Sequence, residues 1–328
     1  MSPVREIAMK PTRRAFTGLM AASVLSACAS PAAQDRPEAP DRAAQLYPPT
    51  GQLMRVRGRI VHAQDEGRGP AVILIHGASA NLRDFTFSLS GRLARRYRVV
   101  AFDRPGLGHS QTLNNRGETP AEQAAQLDAA AAMLGIRRAI IVGHSYGAAV
   151  AMAWALNHPD RAAGVVTLAG VTMPWPGELP RFYTVASSGL GSAVVSALAT
   201  RARAERAVAR FFAPQRPPAG YTDYVGIELA LRPETLRTSA RQVEILKPQL
   251  EAMNDRYPEL RLPVEILHGT ADNAVSIDVH SRALAPRLRA FRLTELPGIG
   301  HMPHHAAPAA TLAAIDRAAA RAGLHARA

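Results

Sequence analysis

Cysteine is nearly missing from this 328-residue chain: Cys28 stands alone. One thiol cannot form an intramolecular disulfide, and a cluster of thiolate metal ligands is excluded with it. Lysine is almost as scarce. Lys10 and Lys247 are the only two, so the net charge of +13 rests on arginine. With alanine and proline abundant, that balance fits GC-rich coding better than selection for nucleic acid. No basic run with interleaved aromatics and no helix-turn-helix or RNA-binding signature occurs, so nucleic acid is not an expected partner. A solvated arginine-rich surface accounts for the charge, and attraction to an anionic envelope surface is the milder functional reading. A convincing membrane span is lacking too. The apolar stretch from Ala15 to Ala27 is interrupted by Ser, Thr and Gly and falls short of the about 20 residues a bilayer requires.

What is present is ample core material. Hydrophobic residues make up 47% of the chain, enough for one large α/β domain or two smaller ones. From Leu53 onward the pattern is regular. The stretch Met54 to His62 reads as a strand of a hairpin. Continuous apolar runs follow at Ala71–Ile75, Arg98–Phe102, Ala139–Val142, Val165–Leu168 and Val264–Leu267, with a final strand at Phe291–Leu296. Runs of this kind are expected of strands buried on both faces. Helical segments at Ala121–Leu134, Ala148–Asn157 and Ala307–Arg321 intervene. Alternating strands and helices predict an α/β fold with a mostly parallel central sheet covered on both faces.

The alternation breaks between Met173 and Leu262. Gly191–Phe212, Thr222–Leu231 and Pro233–Met253 read there as amphipathic helices separated by Pro and Gly. Such an insertion at the carboxyl end of a strand, where ligands bind in open α/β sheets, is expected to act as a lid. The domain plan is therefore a core over 52–173 and 259–328, with a helical lid over 174–258.

The pentapeptide Gly143-His144-Ser145-Tyr146-Gly147 lies between a buried-strand pattern and a helical run. A turn that sharp crowds the backbone, which favours glycine two residues either side of the serine, and it holds the hydroxyl in open space. A serine hydroxyl needs a base, the base an orienting carboxylate, and the developing oxyanion pre-placed donors. Three further motifs supply candidates: His76-Gly77-Ala78-Ser79, Asp103-Arg104-Pro105-Gly106-Leu107-Gly108-His109-Ser110, and the pair Gly269-Thr270-Ala271-Asp272 with Gly298-Ile299-Gly300-His301. With these the chain from about Leu53 onward resembles the α/β-hydrolase superfamily. The resemblance implies that the sheet carries a helical lid inserted before the strand bearing the catalytic acid. It also implies the order Ser145 (nucleophile), Asp272 (acid) and His301 (base), with an oxyanion hole of the Ala78 and Tyr146 amides.

Departures from the family's patterns narrow the expectation. The His-Gly-Gly-Gly form of the oxyanion loop is absent, which disfavours the lipases and esterases that use it. The elbow carries Ser and not Asp, which disfavours the epoxide hydrolase and haloalkane dehalogenase branches. Asp103 is read as structural, and His76 as a buried hydrogen-bonded residue that shapes its loop. A metal site from His301, His304 and His305 is not expected, because no carboxylate joins them in sequence. The scheme requires no cofactor.

Upstream, the start reads as a targeting segment. Arg5, Lys10, Arg13 and Arg14 precede the apolar stretch, which ends in Leu25-Ser26-Ala27-Cys28. That ending resembles the bacterial lipobox and implies lipidation of Cys28; Thr12-Arg13-Arg14-Ala15-Phe16 resembles a twin-arginine export signal. The expectation is a signal over 1–28 and a proline-rich tether over 29–51. The mature protein would be lipid-anchored in the bacterial cell envelope. The expected function is a serine hydrolase acting on a carboxylic ester or related acyl substrate. Three alternatives stay open: a cofactor-free perhydrolase resembling haloperoxidases, a C–C bond hydrolase, or a catalytically silent lipid-anchored binding protein.

Overall fold

In the computed structural model, residues 41–325 are described; the expected signal segment, Cys28 and residues 29–40 lie outside them. The β-branched and apolar runs become the strands of one eight-stranded sheet. They are β1 (Gln52–Val56), β2 (Arg59–Gly67), β3 (Ala71–Ile75), β4 (Arg98–Phe102), β5 (Ala139–His144), β6 (Ala162–Leu168), β7 (Val264–Gly269) and β8 (Phe291–Leu296). The spatial order is β1-β2-β4-β3-β5-β6-β7-β8. β1, β2 and β4 pair antiparallel, and every later pairing is parallel. The central strands β3, β5, β6 and β7 are buried at every residue, as the continuous apolar runs require of strands covered on both faces.

Helices on the two faces complete the layers. On one face lie Pro120–Met133 and Tyr146–Asn157, packed with Ile73, Ile75, Ile141 and Ile266 in one core cluster. The first of these begins with a reciprocal cap, Thr119 accepting from the Glu122 amide while the Glu122 carboxylate accepts from the Thr119 amide. The second is apolar all round and buried from Tyr146 to Leu156, as a helix sandwiched between sheet and outer helices must be. On the other face, Phe85, Leu89 and Leu93 meet Ala314, Ile315 and Ala318 of the helix Pro308–Arg321.

Three expectations need correction. The stretch Met54–His62 is not one strand, because Arg57 and Gly58, both at positive φ (48° and 79°), turn the chain between β1 and β2. The tether expected over 29–51 ends sooner. Arg42–Leu46 is helical, the Tyr47 carbonyl accepts from His109 Nε2 at 2.9 Å, and Asp41 pairs with Arg232 at 3.3 Å. These contacts outweigh the extended preference of a proline-rich stretch.

The third correction concerns the insertion between β6 and β7. It is wholly helical, as expected, but more finely divided: Arg181–Ser187, Gly189–Leu198, Arg201–Phe212, Tyr221–Val225, Ile227–Ala230, Pro233–Glu244 and Leu246–Arg256. Local caps make the cuts. The Thr200 hydroxyl accepts from the Arg203 amide and restarts a helix. Gly226, at φ 65°, ends one helix and opens the next.

Candidate active site

The site lies at the carboxyl ends of β3, β5, β7 and β8. Ser145 follows β5 directly and sits at φ 52°, ψ −119°, a left-handed conformation costly for a residue with a side chain. The two glycines of the pentapeptide explain how the chain tolerates it. A methyl group on Gly147 would lie 2.1 Å from the Ile75 carbonyl oxygen, and one on Gly143 would lie 2.3 Å from the Gly147 carbonyl oxygen. Strand end, elbow and helix start therefore approach more closely than any side chain permits. The Ser145 amide and carbonyl are both tied down, to the Leu168 carbonyl and the Val171 amide, each at 3.0 Å.

Asp272 follows β7 and His301 follows β8. The structure brings them into direct contact, His301 Nδ1 to Asp272 Oδ2 at 2.7 Å. Asp272 Oδ1 accepts from the amides of Ala274 and Val275 at 2.8 and 2.9 Å. Burial alone would raise this carboxyl; hydrogen bonds from His268 and His301 outweigh it and hold Asp272 well below the usual range. With Nδ1–H donated to the carboxylate, the basic lone pair of His301 falls on Nε2, assigned from the hydrogen-bond network. Ser145 and His301 line the same cavity. No hydrogen bond joins them in this conformation; such bonds often tighten only with substrate in place.

Ala78 and Tyr146 also line that cavity. Neither backbone amide donates to another group among the described residues. Gly77 packs against the serine, since a methyl there would lie 3.2 Å from Ser145 Cβ. The loop before Ala78 is braced from below. His76 donates from Nδ1 to the Gly77 carbonyl at 2.9 Å and accepts from the Arg104 amide at 3.0 Å. Burial, followed by the charge of Arg104, lowers His76 to about 4, so it stays neutral. Asp103 is structural, as expected: it accepts from His62 at 2.7 Å and from the Leu82 and His109 amides at 2.7 and 2.8 Å.

Three supporting features escaped the sequence. His268 lies on the far side of Asp272, Nε2 to Oδ2 at 3.0 Å, with its Nδ1 2.6 Å from the Ser281 hydroxyl. It stands four residues before Asp272, immediately ahead of the Gly269–Asp272 motif, which was the available signal. Arg104 is fully buried and binds the His76 and Gly77 carbonyls at 3.0 and 2.9 Å, Gln123 and Gln242 at 2.8 Å each, and the face of the Tyr146 ring at 4.3 Å. Burial lowers it only to about 10, so it keeps its charge near neutral pH.

The third feature corrects an expectation. A carboxylate does join His304 and His305: Asp84, at 3.1 and 2.8 Å from their Nε2 atoms. Tyr221 donates to the same carboxylate at 2.7 Å, and His144 Nδ1 lies 3.8 Å from it. About 220 residues separate the partners, so no spacing pattern could show the contact. The His304 and His305 Nδ1 atoms are buried without partners. If Nε2–H donates to Asp84, those orphans are lone pairs. A metal held through Nε2 would instead leave two buried N–H groups without acceptors, where ligand histidines normally find one. The hydrogen-bonded arrangement fits these residues better than a metal site does.

The cavity above Ser145 holds about 900 Å³, near the upper end of ordinary ligand sites. Its floor is the sheet-end site, and most of its wall comes from the insertion, including Phe182, Leu198, Val208 and Phe211.

Residues 72–315 match the description "Alpha/beta hydrolase family". The chain belongs to that family. An uncharacterized protein of Mycobacterium tuberculosis is 30% identical to it over 289 residues, 83% of this chain and 82% of the relative. Haloalkane dehalogenase 2 of the same species is 29% identical over 287 residues, covering 83% of this chain and 95% of the relative. Among solved structures, a thermophilic esterase from Thermogutta terrifontis superposes with a TM-score of 0.68 at 21% identity. That match covers 83% of this chain and 99% of the esterase, and it speaks to fold alone. Within this alpha/beta hydrolase, position 145 carries serine.

Proposed function

We propose that this protein is a serine hydrolase that cleaves a carboxylic ester through an acyl-enzyme. The observation that carries the reading is the strained Ser145 elbow in one cavity with a His301–Asp272 pair at 2.7 Å. His301 Nε2 takes the Ser145 proton as Oγ attacks the acyl carbonyl. The Ala78 and Tyr146 amides receive the oxyanion. Collapse breaks the ester bond, and the proton on Nε2 goes to the leaving alkoxide. Water then gives a proton to Nε2 as it attacks the acyl-enzyme, and collapse breaks the acyl–Oγ bond, releasing the acid while Nε2 returns that proton to Ser145 Oγ. Asp272 stays ionised and keeps His301 in the productive tautomer.

The helical insertion acts as the lid of this site, and its apolar wall selects an apolar acyl or ring group. The resemblance of Leu25–Cys28 to a lipobox supports an exported, lipid-anchored protein. A fluorophosphonate probe should label Ser145 in the wild type and not in Ser145→Ala. Unaltered ester turnover in Ser145→Ala would overturn the scheme.

A further inference from the structure

The insertion carries an apolar face with nothing packed on it. Phe182, Val185, Leu190, Val194, Leu198 and Phe211 make up more than half of the large apolar side chains exposed among the described residues. On the helix Gly189–Leu198, residues 190, 193, 194, 197 and 198 are all exposed. That i, i+3, i+4, i+7, i+8 spacing is normally the buried stripe of a helix. Here it faces outward, and Leu190 is 85% exposed. The helix contains no charged residue. The next helix in the chain, Arg201–Phe212, exposes Arg203, Arg206 and Arg210 against the half-buried Glu205, and Arg181 is exposed on the preceding helix; Pro233–Glu244, packed beside the stripe helix, exposes Glu234 and Glu244. Three members of the patch, Phe182, Leu198 and Phe211, also line the cavity above Ser145. The outer apolar surface and the cavity thus share these three side chains.

We propose that this face docks on an anionic lipid bilayer and that the cavity draws a membrane-embedded acyl ester from it. The docking half rests on the patch alone; the substrate half rests on the ester-hydrolase reading above. An apolar helix face followed by an arginine-rich helix is the form that lies in a headgroup layer, with cations against anionic lipid. A second copy of the chain fits less well, because a chain of net charge +13 offers no anionic surface for the arginine-rich helix to meet.

The test uses the full chain carrying Cys28→Ser, so that no acyl anchor contributes, in flotation with phosphatidylcholine vesicles with and without phosphatidylglycerol. Binding should require phosphatidylglycerol and weaken with salt. L190D/V194D alters two exposed positions that do not line the cavity. It should lower vesicle binding at least about tenfold and leave turnover of a water-soluble short-chain p-nitrophenyl ester within about twofold. It should also slow hydrolysis of a long-chain ester embedded in the vesicles. R206E/R210E should weaken binding as well. Docking is overturned if the wild type fails to float with phosphatidylglycerol, if L190D/V194D floats equally well, or if the wild type is a dimer that this variant dissociates. Lost binding with unchanged hydrolysis of the embedded ester overturns the substrate half. Vesicle binding with no ester turnover at all sinks the hydrolase reading and leaves the docking face standing.

Discussion

The sheet-end site and the helical insertion are built on opposite terms. At the site, the carboxylate beside His301 is buried and held by several partners. Asp272 takes hydrogen bonds from two histidines and two amides, and the glycines of the elbow sit against backbone with no room for a methyl. In the insertion, the helix Gly189–Leu198 turns its apolar stripe outward, and Gly189 has open space where a side chain would go. The first region stores strain and must be rigid to keep it. The second leaves an apolar stripe in solvent, although buried Gln242 ties the insertion to Arg104 and Glu118.

The largest effect that would sharpen this contrast is chemical. Ser145→Ala should lower ester turnover by at least about ten-thousand-fold, while its thermal midpoint stays close to the wild type. Steady-state rates with a melting scan check both halves; a large drop in melting temperature would show that the serine supports the fold as well. Asp272→Asn should cost about a thousand-fold or more in kcat, because His301 loses the partner that sets its tautomer. Steady-state kcat of the variant beside that of the wild type measures the defect.

Acid should break the core before the insertion. His76 and His280 are both lowered to about 4, by burial first and then by Arg104 and by His268 respectively. The unfolded chain takes up those protons near pH 6.5 and the folded chain resists them. Their stabilising contribution is therefore complete above about 6.5 and is lost as pH falls toward 4, at up to about 3 kcal/mol for each. The insertion between Met173 and Leu262 contains no histidine. Urea unfolding at neutral pH and near pH 4.5 measures the loss, and a flat profile would contradict the buried neutral state of both groups.

Two glycine substitutions probe packing on each side of the comparison. Gly147→Ala forces a methyl against the Ile75 carbonyl and should destabilise by about 3 kcal/mol. Gly189→Ala meets nothing and should stabilise slightly, by about 0.5 kcal/mol, through the unfolded chain. Denaturant midpoints of the two variants should move in opposite directions.

The sequence displayed those parts of the site whose physics is local. The elbow was legible because a crowded turn demands Gly143 and Gly147 at fixed offsets from Ser145. The buried strands were legible because burial on both faces demands unbroken apolar runs. The order of Ser145, Asp272 and His301 followed from resemblance to a family, and spacing alone would not have paired them. Arg104 was in view within a quoted motif, yet nothing in that motif says that its guanidinium is buried against the His76 and Gly77 carbonyls. The insertion was recognised as helical, but its outward-facing stripe was not, since a periodic apolar pattern does not say which way it faces.

By itself, the sequence determined the alternation of strand and helix, the strained serine turn and the positions of the glycines and prolines that punctuate the chain. Each of these depends on neighbours within a few residues. Tertiary structure alone decided that Asp84 would meet His304 and His305, that His268 would back Asp272, and that the stripe from Leu190 to Leu198 would face away from the core. Those outcomes depend on contacts between residues far apart in the chain, where pairing is set by how the layers pack and not by local preference.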